Sequence, residues 1–306
     1  MILGVWVLSG AATTPACEIV DAYSALATLA AATAGTSPAA QIREFHERII
    51  DRYPGLYTPS VIGLSAGPPF DAAILGSLAA ARERQNRGTL MQQLRADIAH
   101  TAKAFTVFAD FRCDFPIYLA DTLGQLDGAG RIVDGRRALV LGVGNLDAEQ
   151  FSISLPTLIT HEIFHRYHYQ AAGYSDDLAD QQPIWVALWV EGLATYASQA
   201  LTPGATLKDA LVVPADLEQR AAPLVPQLAA DLLRHLDEIN ADIYVTYFTY
   251  GNPGVAARGL PWRSGYYVGD LVARRLARRH SLAALAHMQG PALHQEIANA
   301  LLQLSR

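Results

Sequence analysis

The stretch "LITHEIFHRYHYQ", residues 158–170, places three histidines and one glutamate within the eight positions from His161 to His168. His161-Glu162-Ile163-Phe164-His165 is an HExxH pentapeptide. Pro156 just ahead of it suits the first turn of a helix, where a backbone N–H has no intrahelical partner to lose. A helix starting near Leu155 sets His161 and His165 one turn apart on one face, so both imidazoles can reach a single ion. Glu162 lies beside them and can take a proton from an attacking water. His168 points the same way, only about 20° around the helix from His161, but it sits about 10 Å further along the axis. Metal–nitrogen bonds of about 2 Å do not span that gap. A His165–His168 pair at i, i+3 would leave Glu162 without its role. His168 is therefore expected to be packed or to support a ligand from behind.

A third ligand has to come from elsewhere. A metzincin-type third histidine would fall six residues after His165, where the chain has Ala171, so that class is excluded. "PIWVALWVEGLATYASQAL" (183–201) supplies a better candidate. Glu191 is the only charged residue between Asp180 and Lys208, and its neighbours are Trp185, Leu188, Trp189, Val190 and Leu193. Burying a lone carboxylate in such a helix is costly unless something positive meets it, and a divalent ion is the economical partner. Asp176, Asp177 and Asp180 are rival ligands from the polar loop before this helix. An arginine, Arg166 or Arg263, is a rival partner for Glu191.

Working outward, the 306 residues are 51% hydrophobic and 17% charged, a globular composition and not a disordered one. The net charge of −6 and the absence of a basic stripe argue against nucleic-acid binding. No apolar run reaches the roughly 18–20 residues of a membrane helix. "MILGVWVLSGAATTPAC" resembles the end of a secretory signal, and faintly a lipoprotein signal, yet it lacks a positive n-region. Export, a misplaced start and a first apolar strand or helix all remain open for residues 1–16, so the compartment is left undecided. Cys17 and Cys113 can pair or stay as buried thiols.

The periodicity gives a mostly α fold (α+β). "IREFHERIIDRY" and "GTLMQQLRADIAHTAKAF" carry apolar residues at helical spacing in a helical region spanning 17–110. A small β region follows, with "FPIYLA" (115–120) and "RALVLGV" (137–143) as strands and "DGAG" and "DGRR" as turns. Beyond residue 153 the chain reads as helices, broken at "TPGAT", "VVPAD", "GNPGVAARGLPW" and "MQGPA". We expect a core over 111–205, holding the sheet, the HExxH helix and the glutamate helix. A helical region over 206–306 completes the cleft in one compact unit. The other histidines, at 46, 100, 235, 280, 287 and 294, stand singly.

HEIFH followed by WVEGLATYAS resembles the gluzincin pattern of zinc metallopeptidases, an HExxH helix and then a glutamate ligand on a second helix. "EGLATY" and "GYYVGDLVARRLA" are similar to segments of poorly characterised bacterial Zn-dependent proteases. The likeness covers about residues 137–200 and 263–280. It implies a zincin-like core with a small mixed sheet before the HExxH helix. It also implies Zn²⁺ on His161, His165 and Glu191, Glu162 as general base, and a peptide or protein substrate docked along a sheet edge, with "RRALVLGVG" (136–144) in place for that role. Gluzincins often use a tyrosine beyond the third ligand to stabilise the oxyanion. On the helical wheel Tyr266 falls near the buried side and Tyr267 toward the arginines, so Tyr266 is the first choice and Tyr267 the second. Tyr247 and Tyr250 are weaker pocket candidates, and Thr195 is a candidate support for Glu191. Two alternatives stay open: a helical binding protein of the cell envelope with an inactive HExxH, and a zinc amidase acting on cell-wall material.

Overall fold

A computed structural model describes residues 17–84, 86–146, 154–174 and 181–306. The signal-like segment 1–16 and the rival ligands Asp176, Asp177 and Asp180 lie outside the described residues. We number helices of eight residues or more: α1 (Tyr23–Ala32), α2 (Pro38–Phe45), α3 (Pro68–Glu83), α4 (Arg87–Ala104), α5 (Leu155–Ala172), α6 (Ile184–Leu201), α7 (Val225–Arg234), α8 (Ala241–Phe248), α9 (Ser264–Ala277) and α10 (Gly290–Leu304). Four strands complete the fold, β1 (Ile19–Asp21), β2 (Ile117–Ala120), β3 (Gly128–Val133) and β4 (Arg136–Gly142). The fold is thus mostly α with a small mixed sheet ahead of the HExxH helix, as the periodicity indicates.

The sheet order is β1-β2-β4-β3. β2 runs parallel to β1 and β4, while β3 pairs antiparallel with β4 from Gly128↔Leu141 to Val133↔Arg136. Two expectations need correction. "DGAG" is not a turn: Gly128 opens β3, and only Asp134-Gly135, both at positive φ, form the hairpin turn. β4 is not an edge either, because β2 and β3 pair with its two sides, and the edge beside the site is β3. Its small residues gave β3 no strand signature, since a Gly-Ala-Gly start has no β-branched or aromatic side chain. β1 was also illegible, because three residues carry no period and its pairing partner lies about a hundred residues away.

Cys17 and Cys113 form a disulfide across 96 residues, which settles the pairing left open above. It fastens the segment entering β1 beside the one entering β2. α5 starts at Leu155 with Pro156 in its first turn and ends at Gly173, whose αL backbone (φ 67°) lets the chain leave the helix. α6 starts one residue later than Pro183, which caps it. The described residues bury one continuous apolar cluster from Ala22 to Leu301. α5 packs on α4, α6, β3 and β4, so the HExxH helix is sandwiched between the sheet and the C-terminal helices. No helix among the described residues is long and apolar enough to cross a membrane.

Candidate metal centre

α5 and α6 lie against each other, and α6 crosses α9 at unusually short range. A Cβ on Gly192 would stand 2.2 Å from the carbonyl carbon of Gly269, and one on Gly269 would stand 2.5 Å from the carbonyl oxygen of Leu188. Only glycine allows two helix backbones this close. Gly192 follows Glu191 directly, so the crossing that needs the glycine also fixes the glutamate. Tyr266 precedes Gly269 by one turn and is brought to the same place.

His161, His165 and Glu191 converge there and form a group that could hold a metal ion. His161 Nε2 is 2.9 Å from His165 Nε2, and Glu191 Oε2 is 3.4 Å and 3.2 Å from the two nitrogens. The carboxylate oxygen is buried beside both imidazoles, yet neither nitrogen is aligned to donate to it. The three atoms thus cluster closely enough to share one ion, and the two imidazole nitrogens are also within hydrogen-bond distance of each other. A tetrahedral ion with bonds of about 2.0–2.1 Å needs donor atoms about 3.3 Å apart, which this triangle meets. The donor set also suits a borderline ion that takes two imidazoles and one carboxylate. Within the described residues the Nδ1 atoms of both histidines lack the hydrogen-bond acceptor that usually orients a ligating imidazole.

Electrostatics follow from burial and close charge. Burial, reinforced by His165, pushes His161 down to about 4. For His165, burial acts downward, but the Glu191 carboxylate holds it above its ordinary value. Glu191 is raised by burial and then held far below the carboxylate range by the charge of His165, with His161 reinforcing. Burial lifts Glu162 to about 7, although His165, Arg263 and Arg131 pull the other way. The Glu162 side chain lies against the start of β3, where a Cβ on Gly128 would stand 2.8 Å from its Cγ. Edge strand and carboxylate thus share one wall.

The tyrosines separate. The Tyr266 ring lies 6.1 Å from that of His161 and is nearly parallel to it at 21°. Burial and the nearby Glu191 charge keep its hydroxyl protonated far above neutrality. Tyr267, also buried, feels the charges of Glu218, Asp270 and Arg274 and none from the triad. The other pocket candidates are not brought in. Tyr247 donates its hydroxyl to Asp231, and Tyr250 is exposed beside Trp262. Thr195 bonds the carbonyl of Glu191 at 2.8 Å and so serves the helix backbone, not the carboxylate. His168 is fully buried among Phe164, Tyr174 and Trp189, and burial drives it down to about 3. His168 thus packs in the core, as its distance along α5 from His161 leads one to expect. Sequence reasoning missed Arg131, a half-buried cation whose charge is felt at Glu162. It named Arg263 only as a rival partner for Glu191. A lone arginine in the turn-like "GAGRIV" was the available signal for the first; none existed for the second.

Compared with known proteins, the chain matches no protein family, no curated protein and no solved structure.

Proposed function

We propose that the protein is a zinc-dependent hydrolase, most closely a peptidase of gluzincin type. The carrying observation is the triangle of His161 Nε2, His165 Nε2 and Glu191 Oε2, with sides of 2.9, 3.2 and 3.4 Å, and Glu162 next in sequence. Zinc is favoured because calcium and magnesium prefer all-oxygen shells with more ligands. The bound ion would polarise a carbonyl and make an attacking water acidic. The rest of the reaction falls to the chain. Glu162, next to His161 in the chain and beside the triad, accepts the water's proton and passes it to the departing amine. Tyr266, protonated and held beside His161, donates a hydrogen bond to the oxygen on which charge develops. β3, the edge strand beside Glu162, is where an extended peptide would add to the sheet.

Protein purified without chelator should carry about one zinc per chain by elemental analysis. Glu191→Ala should weaken zinc binding by more than about 100-fold, since removing even an outer support of a ligand costs up to that much. Glu162→Gln should keep the zinc and lose about 10²- to 10⁴-fold in peptide hydrolysis. Metal-free protein, or full hydrolysis by the Glu162→Gln enzyme, would end the reading.

A further inference from the structure

Arg263 is the residue whose surroundings the reaction above leaves unexplained. It precedes α9 in the left-handed conformation (φ 59°, ψ 20°), which L-residues adopt at a cost and which recurs at functional positions. Its guanidinium carbon lies 3.9 Å from the centroid of the Tyr266 ring, over its face. Its Nε is buried without a hydrogen-bond partner, and among the described residues Arg263 has no ion pair. The positive charge is nevertheless felt at His161, Glu162 and Asp127, so the group stands over the reacting centre. Other cations near a protein site usually find a fixed acceptor. Arg131 donates to the carbonyls of Val61 and Gly130 at 2.8 and 2.9 Å, and Arg274 to Asp270 at 2.6 Å. A guanidinium presents five donors in a planar fork shaped for a carboxylate. Tyr266 supports that fork by cation–π contact without using any of those donors. Among the described residues none of the neighbouring acids reaches ion-pair distance of it: Glu191 is turned to the two imidazoles, Glu162 lies against Gly128, and Asp127 feels the charge without pairing with it.

We propose that Arg263 reads a carboxylate on the substrate, so that the peptides cleaved carry an acidic side chain or a free C-terminal carboxylate close to the scissile bond. The proposal rests on the peptidase reading for its substrate class, but its binding arm is independent of turnover. The probes are four pools of random-sequence octapeptides. They contain Asp and Glu or their amides Asn and Gln, each with a free or an amidated C-terminus. Zinc-loaded wild type is assayed for cleavage by mass spectrometry. Zinc-loaded Glu162→Gln protein, immobilised, is assayed for retention of the same pools.

Carboxylate-bearing pools should be cleaved and retained at least 10-fold better than the doubly neutral pool. The side-chain and C-terminal arms show which carboxylate is read. Arg263→Met, which keeps an apolar stem over Tyr266, should bring the ratio close to one at unchanged zinc content, and Arg263→Lys should restore part of it. Equal cleavage of acidic and neutral pools by wild type overturns the proposal while the peptidase reading stands, and this comparison needs no variant. A ratio that survives Arg263→Met, or a loss that is uniform across pools, overturns it as well. Retention that depends on Arg263 without cleavage of any pool supports the carboxylate reader and sinks the peptidase reading. Neither cleavage nor retention sinks both.

Discussion

At the scale of single residues, the tyrosine pair shows how neighbours in sequence part in space. Tyr266 and Tyr267 are both buried, but only the former shares a face with His161, while the latter feels the charges of Glu218 and Arg274. If Tyr266 donates to the developing oxyanion, Tyr266→Phe should cut kcat by about 10²- to 10³-fold with little change in zinc content. Tyr267→Phe should leave kcat within a factor of about three. Steady-state kinetics on any cleaved peptide decides this, and equal effects of the two changes would remove Tyr266 from the mechanism. His168 teaches a related lesson. Its direction on the helix is that of His161, but rise per residue decides, and the ring sits deep among aromatic neighbours instead.

Among elements, the crossing of α6 and α9 carries the site. Adding a methyl group at Gly192 drives it into the backbone of Gly269, and no side-chain rotation relieves that contact. Gly192→Ala should therefore destabilise by about 2–3 kcal/mol or more. In a thermal melt that is a fall on the order of 5–10 °C, accompanied by weaker zinc binding because Glu191 moves with the helix. A wild-type melting temperature with intact zinc affinity would show the crossing to be softer than its geometry suggests. On α9, Asp270 is buried, takes a hydrogen bond from Arg274, and is pushed up to about 6 by burial, with Arg274 opposing and Glu218 reinforcing. A carboxyl that binds its proton more tightly in the folded state stabilises the fold below its unfolded pKa near 4. That contribution fades as pH rises through about 6. Asp270→Asn does not titrate and keeps an acceptor for Arg274. Its stability relative to wild type should therefore rise between pH 4 and pH 7, by up to about 3 kcal/mol. Denaturation curves at the two pH values test the sign; an unchanged difference would mean that the Arg274 pair offsets the burial.

For the molecule as a whole, the disulfide ties the first strand of the sheet to the approach of the second across 96 residues. Closing a loop of that length restricts the unfolded chain by about 4–5 kcal/mol. Reduction, or Cys113→Ser, should lower the melting temperature on the order of 10 °C. Zinc content should persist if the three donors on α5 and α6 suffice to hold the ion. Differential scanning calorimetry with and without a thiol reductant is the check. Bonds of this kind persist where thiols are not kept reduced.

The sequence by itself determined what is local. A turn of 3.6 residues placed His161 and His165 on one face, the isolation of Glu191 in an apolar helix marked it as a partner for positive charge, and periodicity gave the helical majority of the fold. These follow from spacing along a single element, so no knowledge of distant chain is needed. Only the tertiary structure decided the rest: that β3 and not β4 is the edge beside Glu162, that β1 joins the sheet, that Cys17 meets Cys113, and that Arg263 stacks on Tyr266 above the triad. Each of these joins residues that chain order leaves unrelated or that a turn of unusual backbone geometry re-aims. Loop closure depends only weakly on length, so many such pairings compete. Burial of one shared core, together with the close glycine crossing that a single helix cannot reveal, selects among them.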